Sequence, residues 1–358
     1  MIILIFASVN HQQIPDDKWM TRCFDLAKRG IGYVSPNPPV GAVLVLEGRI
    51  LAEGYHAFYG GPHAEVMAVN NVPEEAKHLI PKATLYVSLE PCCITGKTPP
   101  CTDLIIREGI LDVRISTRDP NPAVAGSGLE RLKAKGVRIT EGILEKEGKE
   151  LIRSFTTNIL LKRPHVILKW AQSKWGYSGT EGKQVWLSDP ASKTWSHGQR
   201  AQVDAILVGA RTVETDNPSL TTRDYPGRSP HRVIIDPNGK LDSHYQVFND
   251  DGCKVFYLSK LDNPHINEAH VIKHKYPEGE DSLNRILQFL FSHNIGILLV
   301  EGGAYTQKQF IKANLWDEAW VIQTQHALNE GIVAPNVRGK LMVKQVSASD
   351  LIVGISEE

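Results

Sequence analysis

The sequence predicts an α/β protein built from two successive domains, and three observations carry the prediction. Its 358 residues are long for one hydrophobic core and comfortable for two. In both halves, short apolar runs of strand length alternate with segments whose apolar residues recur at helical spacing. Between the halves a Glu-, Lys- and Leu-rich stretch, Glu141 to Leu161, gives way at Pro164 to a new set of strands. The expected domains are 14–160 and 163–358.

Along the first half, Asp16 or Asp17 can cap a helix whose apolar residues Trp19, Met20, Cys23, Phe24 and Ala27 share a face, stopped by Gly30. Gly41 to Leu46 and Ile50 to Ala52 read as strands around a Glu47-Gly48 turn. A short helix follows from Glu65 to Asn70, with His63 at its start. Leu85 to Leu89 is a buried strand, Thr102 to Glu108 a helix, and Val113 to Ser116 another strand. Glu141 to Leu161 reads as a connecting helix. In the second half, His165 to Trp170, Ala205 to Val208, His231 to Asp236 and Ile297 to Val300 are strands. Helices are expected through Ala191 to Gln199 and from Gly303 to Lys312.

Composition sets outer limits. Apolar residues make up 42% and charged residues 22%, as in an ordinary globular protein. Lys and Arg balance Asp and Glu at 40 each, so bulk charge gives no support for a nucleic-acid partner. The apolar run Met1 to Val9 is too short to span a bilayer and lacks a basic flank, so it reads as a tail or extra strand and no membrane is expected. Five cysteines, an odd number without a secretory leader, argue against a disulfide framework and for a reducing cytoplasm.

The chemistry is concentrated at His63-Ala64-Glu65, Pro91-Cys92 and Cys101. One imidazole and two thiolates can hold zinc and leave a fourth position open for a reactive water. Glu65, two residues from the imidazole, is better used carrying protons than binding metal. This H-x-E…P-C…C order is a known signature of zinc-dependent deaminases. A structural zinc site would close with a fourth Cys or His. Cys93 is the nearby candidate, and adjacent cysteines rarely both reach one ion. Deaminases of nucleic-acid bases tend to show Cys-x₂-Cys. Here eight residues separate Cys92 from Cys101.

The surrounding words fall in a recognisable order: Ser35-Pro36-Asn37-Pro38-Pro39-Val40-Gly41, Gly54-Tyr55-His56, Gly60-Gly61-Pro62-His63-Ala64-Glu65, Glu90-Pro91-Cys92 and Gly96-Lys97-Thr98-Pro99-Pro100-Cys101. They closely resemble the amino-terminal half of the bifunctional riboflavin-pathway deaminase–reductases, and the resemblance continues over nearly the whole chain. It implies a cytidine-deaminase-like α/β/α zinc domain followed by a dihydrofolate-reductase-like α/β domain. It also implies one zinc ion per chain on His63, Cys92 and Cys101, with Glu65 as the catalytic proton carrier. Asn37, His56, Lys97, Asp119 and Asn121 are the implied contacts to a ribosylaminopyrimidine phosphate. One departure is that Ser-His, usual after Pro-Cys, is Cys93-Ile94 here.

For the second half the resemblance implies reduction of the ribosyl group to ribityl by NADPH. Val185-Trp186-Leu187-Ser188, Arg200-Ala201-Gln202, Gly209-Ala210-Arg211-Thr212-Val213, Asp216-Asn217-Pro218-Ser219-Leu220, Arg223 and Glu301-Gly302-Gly303 carry it. Ala171, Trp186, Thr212, Asp216 and Gly303 are the implied cofactor contacts. Gln184, Arg200, Leu220, Arg223 and Glu301 are the implied substrate contacts. Two departures stand here: the Ser-x-Asp-Gly turn is Ser173-Lys174-Trp175-Gly176, and Gln184 replaces a Ser. The expected partners are the small-molecule substrate and further copies of the chain. The competing readings are an active deaminase carrying a non-catalytic reductase-like module, an RNA base deaminase, and a structural zinc protein.

Overall fold

The computed structural model describes residues 15–95, 99–122, 124–279 and 281–357. The Met1 to Val9 run and Lys97 lie outside the described residues. The chain forms two compact units. One holds Val34 and the described residues before it together with Pro38–Arg153; the other holds Ser154–Glu358 with Ser35–Asn37.

The first unit begins with α1 (Asp16–Lys28), then β1 (Gly41–Leu46), β2 (Arg49–Tyr55), α2 (Ala64–Asn70), β3 (Thr84–Leu89), α3 (Cys101–Arg107), β4 (Asp112–Thr117), α4 (Ser127–Ala134), β5 (Arg138–Thr140) and α5 (Glu145–Leu151). Its sheet runs β2-β1-β3-β4-β5. The β1 strand pairs antiparallel with β2 and β3, while β3, β4 and β5 are parallel. Alternation along β1 produces the layers. Ala42 and Leu44 join Ala64, Ala68, Leu104, Ile105, Leu129 and Leu132 on one face, and Val43 and Val45 join Trp19, Met20, Cys23 and Phe24 on the other. Each fully buried aliphatic side chain contributes about 1.5–3 kcal/mol, so neither face could be left bare.

Two local readings change. Pro15 occupies the cap of α1, so Asp16 and Asp17 lie in its first turn. The Asp16 carboxylate instead accepts from the Tyr86 hydroxyl at 2.7 Å and pairs with Arg114. The expected connecting helix is two helices, α5 and α6 (Arg153–Leu161), because Ile152 between them leaves helical geometry at φ −102° and ψ 14°.

The second unit continues with β6 (His165–Ser173), β7 (Tyr177–Gly179), α7 (Pro190–Ala201), β8 (Ala205–Gly209), α8 (Ala210–Asp216), β9 (His231–Ile235), β10 (Val255–Ser259), β11 (Val271–Lys275), α9 (Ser282–Ser292), β12 (Ile297–Val300), α10 (Ala304–Lys312), β13 (Glu318–Thr324), β14 (Ile332–Val333), β15 (Lys340–Ser347) and β16 (Asp350–Ser356). Nine strands form the order β11-β10-β9-β8-β12-β6-β13-β16-β15. Seven are mutually parallel, and the β15–β16 hairpin adds antiparallel beside β13. Both faces are covered, as a parallel sheet requires. Ala205 and Leu207 pack with Leu287, Leu290 and Phe310, while Ile206 and Val208 pack with Val213, Val247 and Phe248. No helix among the described residues is long and apolar enough to cross a membrane.

Candidate active sites

His63, Cys92 and Cys101 converge although they come from three separate segments. His63 is the N-cap residue of α2, and α2 approaches β2 closely at Gly54. A Cβ on Gly54 would meet the Ala68 nitrogen at 2.4 Å and the Ala64 oxygen at 2.7 Å, so only glycine lets the helix sit there. Cys92 follows the carboxyl end of β3, and Cys101 is the first residue of α3. The backbone N–H of Cys101 donates to Cys92 Sγ at 3.3 Å, and that of Thr102 to the Cys92 carbonyl at 3.1 Å.

The three donor atoms lie within 4.8 Å of one another. His63 Nδ1 is 3.5 Å from Cys92 Sγ and 3.3 Å from Cys101 Sγ. Among the described residues this is the one His, Cys, Asp or Glu cluster of metal-ligand geometry. The Cys101 thiol, and then the His63 ring working against burial, hold the Cys92 thiol low, at about 4. Two soft sulfur donors and an imidazole are the donor set zinc prefers, and with three ligands one position stays open. The residues fit the metal.

Glu65 is buried, 4% exposed, in the first turn of α2 two residues beyond His63. Burial pushes its carboxyl up to about 6, and the Cys92 charge adds to the effect. A carboxyl placed near neutrality can both accept and return a proton.

The implied substrate contacts divide. His56 is buried with its ring centroid 5.5 Å from that of His63, edge to face, and its Nδ1–H donates to the Pro62 carbonyl at 2.9 Å. Burial lowers its affinity for a second proton. Asp119 and Asn121 follow β4, where the Asp119 carboxylate accepts from the Asn121 N–H at 2.8 Å and closes a turn. Burial pushes the Asp119 carboxyl up to about 6, with the charges of Glu90 and Cys92 contributing. Asn37 is half-buried and belongs to the three-residue segment grouped with the second unit.

In the second unit, groups gather at the carboxyl ends of the neighbouring parallel strands β8, β12 and β6, the usual crevice for ligands in such sheets. Arg200 of α7 forks onto Glu301, with Nη2 at 2.7 Å from Oε2 and Nε at 3.3 Å from Oε1. Its Nη1 donates to the Thr221 carbonyl at 3.1 Å. Lys169 of β6 lies 3.7 Å from Glu301. Burial alone would raise the Glu301 carboxyl, but the charges of Arg200 and Lys169 outweigh it and hold the group at about 2.

Beside this cluster is a cradle. Glu301 and Gly302 both donate their N–H groups to the Leu207 carbonyl at 3.1 Å, and the Gly303 N–H donates to Thr212 Oγ1 at 3.1 Å. A Cβ on Gly209 would meet Thr306 Oγ1 at 2.8 Å, and one on Gly302 would meet the Gly209 nitrogen at 3.3 Å. These glycines let the end of β8 and the start of α10 pack backbone against backbone, at the end of the sheet where ligands of parallel sheets bind. Of the other expected contacts, Ala171 lies on β6, Asp216 ends α8, and Leu220 is buried at φ +58°. Arg223, Gln184 and Trp186 are exposed, and Lys193 lies over the Trp186 ring.

Sequence reasoning passed over Lys169 and His197, and read Ser173 only as the start of a turn. A lysine inside the apolar run His165 to Trp170 was the available signal for the first. Burial and the charges of Arg200 and Arg223 hold His197 at about 4, so its Nδ1 accepts from the Arg223 N–H at 3.1 Å. Ser173 Oγ accepts from the Trp175 and Tyr177 N–H groups and donates to the Leu328 carbonyl. It therefore holds the turn that lacks the expected acidic residue.

Comparison with known proteins agrees with both halves. Residues 13–117 match the cytidine and deoxycytidylate deaminase zinc-binding region, and residues 164–324 match the RibD C-terminal domain. The chain is thus a deaminase of the zinc-binding class continued by a reductase domain. It is 39% identical over 323 residues to the riboflavin biosynthesis protein RibD of Aquifex aeolicus, covering 88% of this chain and 89% of that one. It is 34% identical to the RibD protein of Escherichia coli, covering 85% and 86%. A crystal structure of a diaminohydroxyphosphoribosylaminopyrimidine deaminase/5-amino-6-(5-phosphoribosylamino)uracil reductase from Thermotoga maritima superposes with a TM-score of 0.87 at 38% identity, covering 96% of this chain and 98% of that one. The chain belongs to the RibD family of bifunctional riboflavin biosynthesis deaminase–reductases. Because the likeness runs through both halves, a non-catalytic second half is not favoured.

Proposed function

We propose that the first unit hydrolytically deaminates a diamino-ribosylamino-pyrimidinone phosphate, and that the second then reduces its ribosyl group to ribityl with NADPH. The single observation that carries the first step is the convergence of His63, Cys92 and Cys101 beside buried Glu65. Those three residues would hold zinc, which when bound would supply a water acidic enough to act as a nucleophile near neutral pH. Glu65 would take a proton from the attacking water at its carboxylate and deliver it to the departing amine, so that a C–O bond replaces a C–N bond and ammonia leaves. Asn37 and His56 would orient the pyrimidine. Lys97, Asp119 and Asn121 would hold the ribose phosphate.

In the second step NADPH, when bound, would supply the hydride. Ala171, Trp186, Thr212, Asp216 and Gly303 would hold the cofactor, a reading supported by the meeting of Thr212 and Gly303 beside the ends of β8 and β12. Arg200, Arg223, Gln184 and Leu220 would seat the substrate, and Glu301 the ribose. Arg200 forks onto Glu301, so substrate phosphate would compete for a guanidinium already oriented by a carboxylate. The reading includes a cytoplasmic location and self-association. The edge strand β15, with Leu341 57% and Val346 75% exposed, supports the latter.

The test incubates zinc-loaded protein with the diamino-pyrimidinone substrate, with and without NADPH, while ammonia and cofactor absorbance are followed together. Ammonia release independent of NADPH, followed by NADPH oxidation only after deamination, is expected. Zinc-replete protein that releases no ammonia overturns the reading.

A further inference from the structure

We propose that Glu90 is a positioning residue for deamination, fixing the segment that carries Asp119 and Asn121 against the segment that carries Cys92. The inference rests on the reading that Asp119 and Asn121 hold the ribose phosphate. Glu90 is 3% exposed and lies two residues before Cys92. Its own N–H donates to the Thr117 carbonyl at 3.0 Å, which ties its backbone to the end of β4. Its side chain then reaches past that strand end. Oε2 accepts from the Asp119 N–H at 3.2 Å and the Gly126 N–H at 3.0 Å, and Oε1 accepts from the Gly128 N–H at 3.2 Å.

Three backbone donors thus converge on one buried carboxylate, the kind of charge-assisted contact that holds irregular backbone most firmly. The β3 and β4 strands are parallel neighbours, so the metal-ligand segment and the Asp119 segment leave the sheet at the same carboxyl end. Register within the sheet ends there, and Glu90 carries it onward into the loops. Packing agrees with the hydrogen bonds. A Cβ on Gly128 would meet the Pro91 carbonyl at 2.4 Å and Glu90 Oε1 at 3.2 Å, so the start of α4 is seated directly on the residue preceding Cys92. A shift at Glu90 therefore moves Asp119 relative to the metal ligands without removing any group that touches substrate.

Glu90→Gln tests this. An amide can accept at only one of the two positions, so its NH₂ group faces at least one backbone donor. The deaminase is assayed with the phosphorylated substrate and with its phosphate-free counterpart, and zinc content is measured alongside. Wild-type protein is expected to prefer the phosphorylated form. In Glu90→Gln, KM for that form should rise about tenfold or more, the loss expected for a displaced hydrogen bond to a charged group. Zinc content and kcat for the phosphate-free form should hold, so the preference collapses. Gly128→Ala, which pushes α4 away from Pro91, should give the same pattern and decides the question if Glu90→Gln fails to fold.

Variants that keep the wild-type phosphate preference overturn the proposal. So does equal loss on both substrates or loss of zinc, since either marks Glu90 as structural only. A wild-type enzyme indifferent to the phosphate instead sinks the reading of Asp119 and Asn121, and the role of Glu90 with it.

Discussion

Replacing Arg200 with Met should destabilise the second unit and do so in a pH-dependent way. Glu301 is 9% exposed at its side chain and is held near 2 instead of its ordinary 4.5. That depression, about two and a half pH units, corresponds to roughly 3 kcal/mol of stabilisation of the charged form. The figure is already net of burial, which opposes it, so removing the fork that offsets burial should cost on the order of 3–5 kcal/mol, as for other broken buried pairs. The sign follows from the direction of the shift. A depressed carboxyl contributes stability that is fully present above about pH 4.5 and lost as pH falls through about 2. The difference between wild type and R200M should therefore be flat from pH 8 down to about 5 and shrink below that.

Tryptophan fluorescence in urea is the assay. Six of the seven tryptophans, all except Trp19, belong to the second unit, so the signal reports that unit nearly alone. A cycle with Glu301→Gln should show coupling of about 2 kcal/mol or more between the two sites. A single-variant loss below about 1 kcal/mol, the range of an exposed surface pair, would refute the argument.

Glu65→Gln should retain zinc yet release ammonia roughly 10²–10⁴ times more slowly, with reduction of the already deaminated substrate unchanged. A variant that turns over within tenfold of wild type assigns proton transfer elsewhere. Treatment with a zinc chelator should abolish deamination and leave NADPH oxidation on the deaminated substrate intact, measured on one sample by ammonia and absorbance. Loss of both activities would show that the metal supports the whole chain. Gly54→Ala should displace α2 by the overlap at the Ala68 nitrogen, so zinc affinity, read by competition with a colorimetric chelator, should fall about tenfold or more. Unchanged affinity would show that His63 is placed independently of the contact with β2.

Residue type and spacing made the class of chemistry and most of the scaffold legible. His63, Cys92 and Cys101 carry metal-ligand chemistry at known spacing. The apolar run Gly41 to Leu46 marked a strand, and the structure sorts Ala42 and Leu44 to one face and Val43 and Val45 to the other, because side-chain direction along a strand has period two. Local signals also found the Gly302-Gly303 turn and the helix after it. What they could not contain was anything set by pairing between distant segments. Asp16 reads as a cap until Tyr86 and Arg114 arrive from two other strands to claim its carboxylate.

Arg200 and Glu301 are 101 positions apart, and only the side-by-side placement of β8, β12 and β6 brings them within 2.7 Å. Lys169 reads as one more strand residue until that same neighbourhood gives it a carboxylate. Glu90 reads in the sequence only as part of the Glu90-Pro91-Cys92 word, and becomes a clamp only when the backbone of Asp119, Gly126 and Gly128 folds over it. Residue type and spacing decide which chemistry is available. Hydrogen-bond partners and charge neighbours, which set orientation and proton affinity, depend on distances of about 4 Å or less that only the tertiary structure creates.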